Sequence, residues 1–199
     1  ISSGVNVTYM PASSSLKTVT IYYFLDGIKH VMTGCRGDVS IDLNAKSIPV
    51  YRFKFTGFYN APTDTANPSG AVYTSFKDPL AVNKLNTPTL SIHGVTGAAS
   101  QFSLAMNNQI VYRNMIAVES IDMTDRTPSG NATIEMTTVA IKAWHEVVRL
   151  GTLSTMQLVH GVGAGNIIQI DAPKVQITDP SYQDSDGVAM LSMGLVLQP

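Results

Sequence analysis

Apolar and polar residues alternate along most of this chain. The alternation predicts strands at 16–25, 28–34, 38–43, 49–57, 88–93, 101–107, 109–118, 131–136, 155–160, 166–170, 174–178 and 187–197. Val, Ile, Thr, Tyr and Phe fill these runs and suit a pleated, half-buried surface. Two runs, 16–25 and 187–197, are nearly continuous in apolar residues. That fits strands covered on both faces, by a core on one side and a partner on the other. Asp26-Gly27 is a strong two-residue hairpin signal, because both residues accept the positive φ of a type I′ turn. Asn107-Asn108 is read as the same device, more weakly encoded.

One stretch has helical periodicity. From 138 to 150, Ala140, Ile141, Trp144, Val147 and Val148 form an apolar face. Thr137 or Thr138 is the candidate cap, and Gly151 the stop. His145 and Arg149 sit near the C-terminal end, where positive charge is favoured. Trp144, the single tryptophan, is read as the anchor pinning the helix to the sheets.

The second half repeats the order of the first. Residues 15–43 and 100–136 both read as strand, tight polar turn, strand, small-residue turn ending in Gly (Gly37, Gly130), strand. Residues 52–57 then match 156–161, and 88–94 match 173–179. The recurrence divides the chain into a first β unit, 1–99, and a second, 100–199, which holds the helix; one domain made of both is the alternative. In the first unit the stretch matching the helix contains Pro49, which ends any helix there.

Two segments are irregular. Residues 58–87, rich in Pro, Asn, Thr, Asp and Ser, are too long for a simple connection and are read as an interaction arm. Phe58, Tyr59, Tyr73 and Phe76 are its candidate contact residues. Residues 179–187 form a second turn-rich loop, in which Asp184-Ser-Asp186-Gly187 is a hairpin turn and not a calcium loop, since alternating ligands and a closing Glu are missing. Gly161-Val-Gly163-Ala-Gly165 is likewise a hairpin turn, because a strand and not a helix follows it. His30, His93, His145 and His160 never come at metal-ligand spacing. No Gly-x-Ser-x-Gly elbow is present. No catalytic, cofactor-binding or metal-binding residue is assigned, and no cofactor is expected.

Composition narrows the function. Charged residues are 14% of the chain, its net charge is −1, and hydrophobic residues make up 44%. So little charge makes a sticky surface, which suits a chain largely covered by copies of itself. No basic stripe supports nucleic-acid readout. Cys35 is the single cysteine, so no internal disulfide forms. No apolar run is long enough to span a membrane as a helix. The start at Ile1 and the apolar run that ends at Pro199 are read as marks of a chain cut from a longer one.

Three stretches carry a family resemblance: Asn107-Asn-Gln-Ile-Val-Tyr-Arg113, Asp125-Arg-Thr-Pro-Ser-Gly130-Asn-Ala-Thr-Ile-Glu135, and Asp171-Ala-Pro-Lys-Val-Gln-Ile-Thr-Asp-Pro-Ser-Tyr182-Gln-Asp-Ser-Asp-Gly187. In these, and in the order of elements from about 20 to 198, the chain resembles the tail tube (major tail) proteins of tailed bacteriophages, in particular those with long non-contractile tails. The resemblance implies a mainly β fold of two packed antiparallel sheets, sandwich or barrel, with one flanking helix. It implies a structural virion protein and not an enzyme, assembled in the host cytoplasm into stacked rings around a channel for the genome. Its partners would be itself, other tail proteins at the tube ends, and passing double-stranded DNA without specific binding. Six tube units to a ring would need three chains if each carries two units, the reading the recurrence favours, and six chains if each carries one. A related baseplate or secretion tube protein is the alternative within the class. Outside it stands a β-sandwich module binding carbohydrate or a receptor through 58–87.

Overall fold

The computed structural model describes residues 6–198; the reading of Ile1 and Pro199 as cut ends lies outside them. Strands β1 (Val19–Leu25) and β2 (Ile28–Asn44) are joined at Asp26-Gly27. There φ is +43° and +85°, as a type I′ turn requires, and Leu25 faces Ile28 across the turn. β3 (Val50–Tyr59) returns along the other edge of β2, and β4 (Thr63–Asp64) extends that edge. The long loop leads to β5 (Thr89–Ile92) and β6 (Val95–Thr96). Next come β7 (Ala99–Ala105), β8 (Asn108–Met115), β9 (Val118–Arg126) and β10 (Ser129–Glu135). Helix α1 (Trp144–Arg149), β11 (Leu153–His160), β12 (Ile168–Ser185) and β13 (Val188–Leu197) complete the chain.

All pairings among these strands are antiparallel. One sheet runs β1-β2-β7-β10-β13-β12-β11-β5-β6, with β3 and β4 also on β2; β8 and β9 form a second sheet. The fold is mainly β, two antiparallel sheets with one short helix, sandwich-like and not a closed barrel. The large sheet folds over itself. Ile41, Leu43, Pro49 and Tyr51 face Leu158, His160, Ile168 and Ile170 across a gap of only about 10 Å³. The core joins Leu43, Leu90 and Ile92 to Phe102, Ile134, Trp144, Met156, Ile177, Leu191, Met193 and Leu195. Strands from both halves therefore share one sheet and one apolar interior.

Several elements differ from the sequence reading, each for a physical reason. The turn placed between 34 and 38 is a bulge inside β2: Gly34 takes φ +59°, and the β2–β3 register shifts between Thr33 and Arg36. The break placed between 170 and 174 is likewise absent. β12 runs unbroken for 18 residues and absorbs Pro173 where the β11–β12 register shifts. It also takes in most of the loop placed at 179–187. Asp179, at φ +48°, sits at a second register shift, and the true turn is Asp186-Gly187, at φ +56° and +81°.

Asn107-Asn108 is not a hairpin turn. β7 pairs with β2 and β10, while β8 pairs with β9. At this corner the chain leaves one sheet for the other, held by side chains. Asn107 takes φ +50° and donates to Thr127 O and Ser129 Oγ; Asn108 donates its backbone N–H to Asp38 Oδ1 and its side-chain amide to Gly37 O. The tight turn of the β8–β9 hairpin is Ile116-Ala117 instead.

The helix spans 144–149, not 138–150. Thr138 O closes only a turn, accepting from the N–H groups of Ile141 and Lys142. Neither Thr137 nor Thr138 caps the helix; Ala143 is the N-cap, without a side-chain bond. Ala140 and Ile141 are exposed, leaving Trp144, Val147 and Val148 to face inward. The stop is as read: Gly151, at φ +60°, donates to Val148 O and Thr152 to Val147 O, the paired bonds of a Schellman end.

Candidate assembly surfaces

The bulge in β2 shapes the end of the sheet where β1, β2 and β3 lie side by side. Gly57 on β3 sits directly over Cys35 on β2, where any Cβ would collide with the thiol. This close approach seals Cys35, which is 1% exposed. On the face that carries Gly57, β3 aligns Tyr51, Phe53 and Phe55. Their rings stack, with centroids 6.3 Å and 6.2 Å apart. Tyr51, at the inner end, reaches the core, and burial pushes its hydroxyl pKa up. Phe53, the middle ring, is 63% exposed, and Phe55, at the outer end, 40%. The same face continues into a groove of about 350 Å³ lined by Ile21, Tyr23, His30, Met32, Gly57 and Tyr59. The core-facing side of this three-stranded end thus extends past its cover. The Tyr51-x-Phe53-x-Phe55 alternation is the signal that would have found it from sequence.

The aromatic residues assigned to the long loop do not act together. Phe58 and Tyr59 lie at the end of β3 on opposite faces. Phe58 is half-buried, packed over Gly34 and edge-on to Tyr112 at 6.5 Å. Tyr59 is exposed beside the groove. Tyr73 and Phe76 form a separate pair, with rings 6.1 Å apart, 71% and 77% exposed. Backbone bonds tie the rest of the loop down, among them Val82 N–H to Ser47 O, Lys46 N–H to Val82 O, and Gly161 N–H to Asn86 O. The segment around Tyr73 and Phe76 therefore stands out from an anchored base.

The β8–β9 hairpin carries a second apolar surface. Ile116 at its tip is 99% exposed, and Met115 and Val118 flank it. Tyr112 donates to Glu119 Oε1 at 2.5 Å, and this bond holds the hydroxyl pKa above its usual value. Sequence reading placed no strand between 118 and 131, where it saw only a small-residue turn ending at Gly130, and so missed β9.

Trp144 lies away from these surfaces, buried against the sheet, and donates its indole N–H to Thr137 Oγ1 at 2.9 Å. Asp26-Gly27 caps the β1–β2 hairpin, and its Gly27 carbonyl accepts from Thr65 N–H. The four histidines are scattered. His93 and His160 are buried; His145 meets the Tyr182 hydroxyl at 2.6 Å, and the His30 ring lies tilted to that of Tyr23, 6.2 Å away. No group of three or more His, Cys, Asp or Glu with metal-binding geometry occurs among the described residues. No helix among them is long and apolar enough to cross a membrane.

No curated protein matches the chain. A family model described as phage tail tube protein matches residues 2–192, nearly the whole sequence. The chain belongs to the phage tail tube protein family, whose members are structural components of the virion tail.

Proposed function

We propose that copies of this chain close into rings around a central channel, and that the rings stack into the tail tube through which the genome leaves the virion. The observation that carries this reading is the three-stranded end β1-β2-β3. It leaves Tyr22, Tyr23, Phe53, Phe55 and Tyr59 exposed on a chain of net charge −1. Patches of this kind mark protein contacts, and pairing edge strands between copies removes the edges. Assembly in the host cytoplasm, contact with other tail proteins at the tube ends, and passage of double-stranded DNA without specific binding follow from the same reading. The role is structural and needs no active site. Negative-stain microscopy of the purified protein tests it: rings or tubes are expected, and a dispersed monomer at high concentration overturns it.

Each chain supplies one tube unit in this proposal, so six chains make a ring. What supports it is the interleaving of the halves. β5, from the first, pairs with β11 from the second; β2 pairs with β7; and one core spans both. The recurrence that favours three chains has no counterpart in pairing, since β1 pairs with β2 but β7 does not pair with β8. Tube images averaged with sixfold symmetry should keep sharp side chains. Blurring under sixfold averaging that vanishes under threefold averaging restores the three-chain ring.

A second reading is favoured by the exposed Tyr73–Phe76 pair, since a projecting aromatic pair also suits carbohydrate or a receptor surface. A glycan-array signal lost in Tyr73→Ser, from protein that stays monomeric, would select it.

A further inference from the structure

We propose that the end of the large sheet formed by residues 21–33 and 58–65 is a hinged flap. It swings as a unit about a crease at Gly34-Cys35 and Gly57, and uncovers Cys35 as it opens. The inference goes beyond the ring reading and does not depend on it.

The crease is one extra residue in the middle strand. From Met32 to Cys35, β2 advances three residues while β1 moves two, from Ile21 to Val19. From Thr33 to Arg36 it again advances three while β3 moves two, from Phe58 to Thr56. Both neighbours thus lose register at the same level. A bulge bends its strand and interrupts the ladder. Two of the three strands cross this line at glycine, Gly34 at φ +59° and Gly57, where the backbone is freest to turn. The third, β1, crosses it at Thr20, next to its first residue.

Beyond the crease the chain holds to itself and not to the body. Thr63 and Asp64 pair with Lys29 and Ile28, and Thr65 N–H donates to Gly27 O. The Asn60 amide donates to Val31 O, Thr33 Oγ1 and Phe58 O at 3.3, 3.1 and 3.2 Å, tying the end of β3 to β2. The apolar core takes no residue from 21–33 or 58–65. β7 pairs with β2 only from Ser40 to Asn44, on the body side of the crease. Among the described residues, the flap's side-chain hydrogen bonds stay within it, save that Cys35 Sγ donates to Met32 O at 3.3 Å across the bulge. One aromatic contact latches the flap to the second sheet. Phe58 Cε2 lies 2.7 Å from the point where a Gly34 Cβ would stand, and the same ring meets Tyr112 of β8 edge-on at 6.5 Å. Regions with so few core contacts open most readily. The flap carries the groove with it, since Ile21, Tyr23, His30, Met32 and Tyr59 all lie beyond the crease. A partner on that face can therefore tilt against the body while the core stays intact.

Cys35, the single thiol, reports the opening. Iodoacetamide labelling of the dilute, unassembled chain gives its opening constant, and hydrogen exchange gives those of the amides. Cys35 is expected to open at least about tenfold more often than the core amides of 191–195, and more often than the amides bonded between β1 and β2. Tyr112→Ala, outside the flap, should raise the Cys35 constant about three- to tenfold, the contribution of one aromatic pair, and leave the β1–β2 amides unchanged. Labelling no faster than core exchange overturns the proposal. So do β1–β2 amides that open as often as Cys35, because the end then melts and does not swing. Both comparisons are made in the unaltered chain, so they stand even where Tyr112→Ala loosens the fold.

Discussion

Trp144 donates its indole N–H to the hydroxyl of Thr137, 2.9 Å away, across the irregular stretch that separates β10 from α1. The bond joins the start of that stretch to its end. The six-residue helix has no side-chain cap at its N-terminus, so packing of this one ring does most to hold it. Trp144→Ala should cost about 3–5 kcal/mol, a large share of a domain's stability. Trp144→Phe, which keeps most of the packing and loses the hydrogen bond, should cost roughly 1–3 kcal/mol less than that. Urea unfolding of both variants checks the order; equal losses would mean that packing is not what the indole contributes.

Acid should weaken the corner between β5 and β6. His93 is buried there at φ +52°, with Nε2 2.8 Å from Val175 O and Nδ1 without a partner. Lys142 Nζ donates to its backbone carbonyl. Burial, and then the Lys142 charge, hold the imidazole pKa below 6.5, and the Val175 bond opposes them only in part. The folded state thus binds this proton less readily than the unfolded chain. The contribution is whole above the unfolded pKa of about 6.5 and is lost as pH falls below it toward the folded value. His93→Asn, whose side chain tolerates this backbone, should show a shallower fall in urea midpoint between pH 7.5 and 5 than the unaltered protein. An unchanged slope would remove His93 from the acid response.

Gly57→Ala should destabilise the three-stranded end by about 1–3 kcal/mol, because the new methyl meets the Cys35 thiol and Met32 Cβ, 3.1 Å away. Adding Cys35→Ala makes room for it. The double variant should then lose less than the two single losses added together. Additive losses would show that strand geometry, not the thiol, limits the site.

Tyr73→Ser with Phe76→Ser should leave monomer stability within about 0.5 kcal/mol, since both rings lie in solvent. If the loop reaches a neighbouring copy, the same variant should stop or slow tube growth. Growth at the unaltered rate, followed by light scattering, would make the loop ornamental.

Features set by a few adjacent residues were legible in the sequence. Asp26-Gly27, the Gly151 stop and the Asp186-Gly187 turn each need a positive φ, and the residue types announce it. The β content and most strand positions followed from alternation alone. What escaped depends on partners far along the chain. Gly34 looks like a turn residue, yet β3 on one side and β1 on the other keep its strand in the sheet as a bulge. Asn107-Asn108 has turn chemistry, but bonds to Gly37, Asp38, Thr127 and Ser129 spend it on a corner between sheets. The helix read seven residues too long because Ala140 and Ile141 keep helical spacing without any surface to pack on. Of the candidate surface, Tyr59, Tyr73 and Phe76 were named from sequence. The stacked Tyr51, Phe53 and Phe55 were passed over as ordinary strand alternation.

The unbroken length of β12 has a mechanical consequence. At about 3.3 Å per residue, an 18-residue strand is a spar roughly 60 Å long. It is bonded to β11 over its first half and to β13 over the remainder. Tension along it loads those hydrogen bonds side by side, so many must yield at once; tension across the Asp186-Gly187 tip would break them singly, like a zip. Resistance to force is set by the unfolding barrier and not by equilibrium stability. A single-molecule pull along β12 should therefore meet a far higher rupture force than a peel at its hairpin end.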